Sequence, residues 1–309
     1  MFDTTALSET TFRRPDERLV GREGIRSKYT RAGELYQLFV NETEGSAEPR
    51  ITLTKTRQLS WIIRPEVSIG AWMFGSNLHL PTEDDIPQFF EMMNSYIGER
   101  TGMVFDAQNA RTARADITKD FKLAETRVLT LLNEYRAFPW AKYNTIFING
   151  TTINFDSRGK RLSRRVALYS KFHERQNHGA PAEEQEMARG LLRLEVQHRT
   201  NKSLADLAQS LKLSDHKAKT MLSSRVRDFV LEKVVARLRL EEAIERSGPT
   251  IEFIFNNHGH SLANRIVTHL ALTAKLGRSY YLNPLFGVSP KTARQYTVQA
   301  AKSGVFTLE

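Results

Sequence analysis

Arg164 to Arg175, "RRVALYSKFHER", sets one tyrosine inside a run of arginines and lysines and follows it with a histidine and a glutamate. From Ser157 to Arg175 seven basic residues stand against one acidic residue. Read as a strand, the segment alternates, with Val166 and Leu168 on one face and Ala167, Tyr169 and Lys171 on the other. By the same alternation Arg165 shares the tyrosine's face and Arg164 opposes it. Tyr169 is then either an ordinary aromatic on a basic strand or a nucleophile aimed at a phosphate, and periodicity leaves both readings open.

Two further segments carry the same division into an apolar and a polar face. "ARADITKDF" sets Ala113, Ala115 and Ile117 against Arg114, Asp116 and Thr118, and "LLRLEVQH" sets Leu192, Leu194 and Val196 against Arg193, Glu195 and Gln197. In one sheet, these strands would line a single surface with Asp116, Glu195, Tyr169, Lys171 and two arginines. Tyrosine with a pKa of ~10 is a poor nucleophile, so attack on phosphorus needs a stabilised phenolate and a neutralised phosphate. Asp116 and Glu195 can hold a divalent cation that polarises the phosphoryl oxygens, and Lys171 can stabilise the developing charge. The competing reading makes R-x-D and R-x-E cross-strand ion pairs on a solvated sheet face.

Around these strands the pattern is that of an α+β protein. "ITLTKTR" alternates like a half-buried strand, and "QLSWIIRPEVSI" continues it as a hairpin. "PTEDDIPQFFEMMNSYIG" predicts a helix with Thr82 as N-cap, acidic residues in the first turn and Pro87 near the start. "KLAETRVLTLLNEYR" predicts another helix, and "NTIFINGTTINF" a hairpin turning at Asn149-Gly150. "NETEGSAEPR", Asn41 to Arg50, reads as a polar loop. Beyond Thr200 the spacing becomes almost purely helical as far as Gly248-Pro249, and more helices are expected after it. The expected division is an α+β domain over residues 1–200 and a helical, DNA-binding or accessory domain over 201–309.

The 309 residues hold 45 Lys and Arg against 35 Asp and Glu, a net charge of +10 that favours an extended polyanion, nucleic acid first, as partner. No apolar run approaches the length of a bilayer span, and "MFDTTALSETTFRRP" lacks the apolar segment of a signal peptide, so a soluble intracellular protein is expected. The absence of cysteine excludes disulfides, thiol nucleophiles and Cys-ligated zinc. Any metal must be held by carboxylates, histidines, carbonyls or water, which makes Mg²⁺ or Mn²⁺ the default.

"GSN" (Gly75 to Asn77) before a helix, "ARADITKDF", "VALYSKFHE", "GLLRLEVQHRT" and a late "VSPKTARQYTVQAAKSGV" together resemble the replication initiators of filamentous bacteriophages, the gene-two proteins, and related plasmid initiators. The resemblance spans most of the chain, with the tyrosine, R-x-D and R-x-E segments its specific parts. It implies an antiparallel-sheet nuclease domain of the rolling-circle type with packed helices. Such a domain nicks one origin strand, becomes joined to the 5′ phosphate through tyrosine, and leaves a 3′ hydroxyl for rolling-circle synthesis in the cytoplasm of a bacterial host. It further implies origin DNA, duplex and single-stranded, as partner, with the host's replication helicase and polymerase.

Carried over by position, Tyr169 matches the nucleophile, Lys171 the lysine two residues on and Glu174 the acid that follows; Asp116 and Glu195 match the metal-binding carboxylates. Ser76 stands where a histidine is expected, and no His-hydrophobic-His pair precedes Tyr169. Arg114, Arg164, Arg165 and Arg193 are candidate DNA contacts beside these residues. Lys291 and Arg294 belong to a helix that either enters a groove or packs amphipathically. His173 and His178 read as loop histidines, and "HGH", His258 to His260, as a weak metal candidate. The alternative function is a non-catalytic, sequence-specific DNA-binding regulator.

Overall fold

The computed structural model describes residues 1–41, 46–136, 138, 140–159, 161–245, 262, 264–269, 272, 289, 291–292 and 295–297. In chain order the regular elements begin with β1 (Phe2–Thr11), a short 3-10 turn (Glu17–Leu19), β2 (Ile25–Tyr29), β3 (Leu35–Val40), β4 (Arg50–Lys55), β5 (Trp61–Ser68), α1 (Ile69–Phe74) and α2 (Ile86–Thr101). They continue with β6 (Arg111–Lys122), α3 (Glu125–Tyr135), β7 (Tyr143–Ile148), β8 (Thr152–Ser157), β9 (Arg164–Ser170), α4 (Lys171–Asn177), α5 (Ala182–Ala188) and β10 (Leu191–His198). The described part closes with α6 (Asn201–Ser210), α7 (Ala218–Met221), α8 (Ser224–Leu238) and α9 (Leu240–Glu245).

The chain forms two compact units, residues 1–119 with 195–231 and residues 120–194 with 232–309, so β6 and β10 each run through both. In the first unit the strand order is β2-β3-β4-β5-β1-β6-β10; in the second it is β6-β10-β9-β8-β7. The strand pairs β1–β5, β1–β6, β2–β3, β3–β4, β4–β5, β7–β8 and β8–β9 are antiparallel. Among the described residues the regular elements from Asn201 to Glu245 are helices, and residues 201–231 share a unit with the N-terminal strands. Backbone bonds explain why: Ala218 donates to the carbonyl of Ala110 at 2.9 Å, Lys219 to that of Gln108 at 3.0 Å, and His216 accepts from Thr112 at 3.0 Å.

The hairpin of β4 and β5 forms as expected, with the β-branched residues of "ITLT" and "WIIRPEV" alternating between core and surface. Pro65 has no N–H to give, and the pairing of β5 with β1 passes over it, from Ala6↔Glu66 to Glu9↔Ile63. The helix expected from Thr82 starts later, at Ile86. Thr82 donates its own N–H and hydroxyl to Asp85 Oδ2, at 2.7 and 2.8 Å, so the acids precede the helix while Pro87 keeps its place in the first turn. α2 then buries Ile86, Phe89, Phe90, Met93 and Ile97, and Trp72 of α1 stands edge-on to Phe89 and Tyr96.

In the second unit α3 packs on β8 and β9 with Val128, Leu131 and Leu132 buried. Tyr135 closes that core by donating its hydroxyl to the carbonyl of Leu238 at 2.7 Å. The expected hairpin turn holds both Asn149, φ 49°, and Gly150, φ 72°, in the left-handed region. Gly190, φ 72°, leads into β10 where a Cβ would stand 2.1 Å from the carbonyl oxygen of Leu123, so only glycine fits there. No helix among the described residues is long and apolar enough to cross a membrane.

Candidate functional site

The polar faces read from the sequence exist, but they are not solvated. In β6 both faces are covered, with Thr112, Asp116 and Thr118 fully buried beside Ala115 and Ile117. In the first unit Arg114 reaches along its own strand to Asp116, Nε to Oδ1 at 3.0 Å and Nη2 to Oδ2 at 2.5 Å, and its Nη1 meets Glu66 Oε1 at 2.5 Å. Burial pushes the Asp116 carboxyl up to about 7; Arg114 pulls against that shift, while the negative charges of Glu195 and Asp3 reinforce it. For Arg114, burial disfavours the charge, but the bonds to Asp116 and Glu66 outweigh it and hold the guanidinium above its usual range.

Glu195 is also buried and accepts from Gln197 Nε2 at 2.5 Å, and Asp3 accepts from Ser68 at 3.0 Å. Among the described residues no three His, Asp or Glu side chains converge as a ready metal cluster. The donor chemistry nevertheless suits a hard cation: buried carboxylates that feel one another's charge are relieved by a proton or by a divalent ion.

In the second unit β9 delivers Tyr169, paired with Thr152 of β8, to the end of the strand with 9% of its surface exposed. Lys171 does not continue the strand, as the alternation predicts, but opens α4. Ser170 is the reason: its side chain caps the helix by accepting from the His173 N–H, and the chain turns there. Lys171 still reaches the tyrosine from the helix. Its fully buried Nζ lies 5.8 Å from the centroid of the Tyr169 ring and 3.0 Å from Glu174 Oε2. Glu174 also accepts from Arg175 Nε at 3.0 Å, and Arg175 continues to Glu184 at 3.2 Å. The Glu174 carboxylate, for which the resemblance implies a metal role, is engaged by a lysine and an arginine.

A second network fixes the turn after Tyr169. Glu125, in the first turn of α3, accepts from the Ser170 hydroxyl at 3.1 Å and from the Gly190 N–H at 2.7 Å, and lies 3.3 Å from His173 Nδ1. His173 is therefore part of the scaffold of this turn and not a loop residue. His178 is exposed, 3.8 Å from Glu174.

The candidate DNA contacts fare unequally. Arg193 has no exposed surface and gives Nε and Nη2 to the two oxygens of Asp120, each at 2.7 Å, so it is committed to a carboxylate and shielded from any phosphate. Arg165 is half-buried and held by Asp156, 2.6 and 2.8 Å, on the Tyr169 side of β9 as the pairing with β8 places it. Arg164 is half-buried with its Nε lacking a hydrogen-bond partner. Lys291 is exposed; Arg294 and His258 to His260 lie outside the described residues. Glu66, Asp120, Glu125 and Asp156 escaped the sequence reading. Alternation could have found Asp120, which shares a face with Asp116 and Arg114 two and three pleats on; the other three partners come from distant strands and helices.

The class defined so far is a mixed α/β protein on antiparallel strands, with a buried arginine–carboxylate cluster in one unit and a tyrosine beneath a lysine in the other. The sequence profile of a family described as the N-terminal part of the gene-two replication-associated protein matches residues 42–218, more than half of the chain. The chain belongs to that family, the filamentous-phage replication initiators, and Asp116, Tyr169, Lys171, Glu174 and Glu195 all lie in the matched region. Comparison with curated proteins finds no match. Membership makes this a replication initiation protein.

Proposed function

We propose that the chain initiates rolling-circle replication by nicking origin DNA in the cytoplasm of a bacterial host, with Tyr169 as nucleophile and Asp116 and Glu195 as the ligands of a divalent cation, Mg²⁺ or Mn²⁺. The observation that carries the reading is the buried Lys171 ammonium held over the Tyr169 ring and tethered by Glu174. A lysine with no solvent around it stabilises a phenolate far better than a hydrated one does. In the step itself the phenol loses its proton, the Tyr169 oxygen bonds to phosphorus, the P–O3′ bond breaks, and the leaving oxygen takes up a proton to become the 3′ hydroxyl. The cation, when bound, supplies charge neutralisation on the phosphoryl oxygens. Arg114 keeps Asp116 oriented, and Glu125 with Ser170 keeps the end of β9 where the tyrosine must stand. The phosphotyrosyl bond conserves the energy needed to rejoin the strand.

The test is adduct formation on DNA flanking the protein's own coding region. With Mn²⁺ present, the wild-type chain should yield a denaturant-resistant protein–DNA species and Tyr169→Phe should yield none while still binding the DNA. Cleavage by the phenylalanine variant would move the nucleophile elsewhere. Binding by the wild type with no adduct under any divalent ion would favour the DNA-binding regulator.

A further inference from the structure

We infer that the outer face of β2 to β5 in the first unit is a track for single-stranded DNA. Alternation turns Leu38, Leu53 and Ile63 into the core, and the pairing registers place the opposite side chains in cross-strand rows. One row runs Arg26↔Phe39↔Thr52↔Arg64 across four neighbouring strands. Its length is about 14 Å at the ordinary interstrand spacing of ~4.8 Å. Arg26 and Lys28 lie over the Phe39 ring, 4.6 and 4.8 Å from its centroid, so both charges are laid along the sheet.

The bland explanation for cations here is protection of the β2 edge from pairing with another chain. That accounts for Arg26 and Lys28 but not for Arg64, which is exposed on the interior strand β5. Charge complementarity points to a polyanion, and the form of the surface selects among polyanions. A sheet face of small threonines and cations layered on an aromatic has nothing to insert into a major groove, whereas unpaired bases stack on the Arg26 guanidinium that covers the Phe39 ring while their phosphates meet Lys28 and Arg64. The row also lies one pleat from Glu66, which is bonded to Arg114, so the track leads along the same face towards the Asp116 cluster. The inference rests on the replication reading for its choice of DNA, and on the sheet alone for its choice of a single strand.

The experiment is an anisotropy titration of the full chain with fluorescein-labelled oligothymidylate, repeated across salt concentrations. Arg26→Glu with Arg64→Glu should weaken binding on the order of tenfold or more and flatten the log–log salt slope by about 0.7 for each phosphate contact removed. Thr52→Glu, a change on the outer face that leaves Phe39 and the core intact, should weaken it in the same direction. Lys233→Glu with Arg237→Glu on α8 makes the same change of net charge elsewhere and should do much less. Equal losses in the two double variants, no loss in the first, or stronger wild-type binding to oligouridylate RNA or to a duplex of the same length would each overturn the track. All arms are repeated with Tyr169→Phe, which cannot nick on the proposed mechanism, so a failure of the nucleophile and a failure of the track are read separately.

Discussion

Arg114-Ala115-Asp116 and Arg193-Leu194-Glu195 have the same form in sequence, an arginine and an acid two residues apart on one face of a strand, yet they resolve differently. Arg114 closes on its own Asp116 and takes Glu66 as a second partner. Arg193 gives two bonds to Asp120, an acid from outside its motif. Arg114 keeps a fifth of its side chain in solvent while Arg193 keeps none. A guanidinium buried completely needs a partner that presents both oxygens in its plane, and Asp120 does so. The two acids of the motifs therefore differ in their support: a two-bond arginine fork anchors Asp116, whereas Glu195 accepts from the neutral amide of Gln197.

The largest effects expected are on metal-dependent cleavage. On the proposed metal assignment, Asp116→Ala and Glu195→Ala should each lower Mn²⁺-dependent nicking on the order of a hundredfold or more, because each would remove a ligand and not merely a neighbour of one. Calorimetric Mn²⁺ titration alongside the cleavage assay separates lost binding from lost chemistry. Glu195→Ala leaves Arg193 with both bonds to Asp120, whereas Asp116→Ala takes from Arg114 two of its three carboxylate bonds, so Asp116→Ala should lower the melting temperature more. Full activity in both variants would remove the metal assignment.

Next in size is a stability effect. Asp120→Ala takes the fork partner from a guanidinium with no solvent access, which costs about 3–5 kcal/mol, read as a fall in the urea midpoint. Glu66→Ala should cost well under half of that, since Arg114 retains Asp116 and water. If Asp120→Ala with Arg193→Met recovers much of the loss, the cost lies in burying the guanidinium charge without the Asp120 carboxylate. Equal effects of Asp120→Ala and Glu66→Ala would dissolve the distinction drawn between the two arginines.

Much of this was legible because strand alternation and hairpin chemistry are local. "ARADITKDF", "RRVALYS" and "LLRLEVQH" declare their faces from side-chain order, and Asn149-Gly150 its turn from the left-handed conformations it tolerates. What was not legible is which side chain a charged residue meets. Arg114 and Arg193 look alike until Glu66 and Asp120 arrive, each from a different strand. Lys171 shows the same limit: alternation carried it along β9, but a serine cap at Ser170 ended the strand, and a helix brought the lysine back over the tyrosine. Burial also misled, since a row of Arg, Asp and Thr suggests a wet face and β6 is covered on both sides.

The smallest expected effect concerns a third arginine–carboxylate pair, Arg165 with Asp156, which is partly exposed on both sides. From sequence, Arg165 should contribute more to DNA binding than Arg164, because it shares the tyrosine's face. The structure qualifies this, for Asp156 already balances its charge with two bonds. A phosphate must compete with that carboxylate, so Arg165→Ala alone should flatten the salt slope by less than the ~0.7 of a full single-strand contact. Asp156→Asn tests the same point from the other side. It removes the competing charge, keeps the side chain's shape, and costs no more than the ~0–1 kcal/mol of a partly exposed pair. Binding of a single-stranded oligonucleotide should then tighten a few-fold, with a slope steeper by about 0.7. The gain should vanish when Arg165→Ala is added. Tightening that survives Arg165→Ala would mean that Asp156 acts only through net charge. An unchanged slope would place Arg165 outside the DNA path and leave Arg164, on the other face of β9, as the residue to examine.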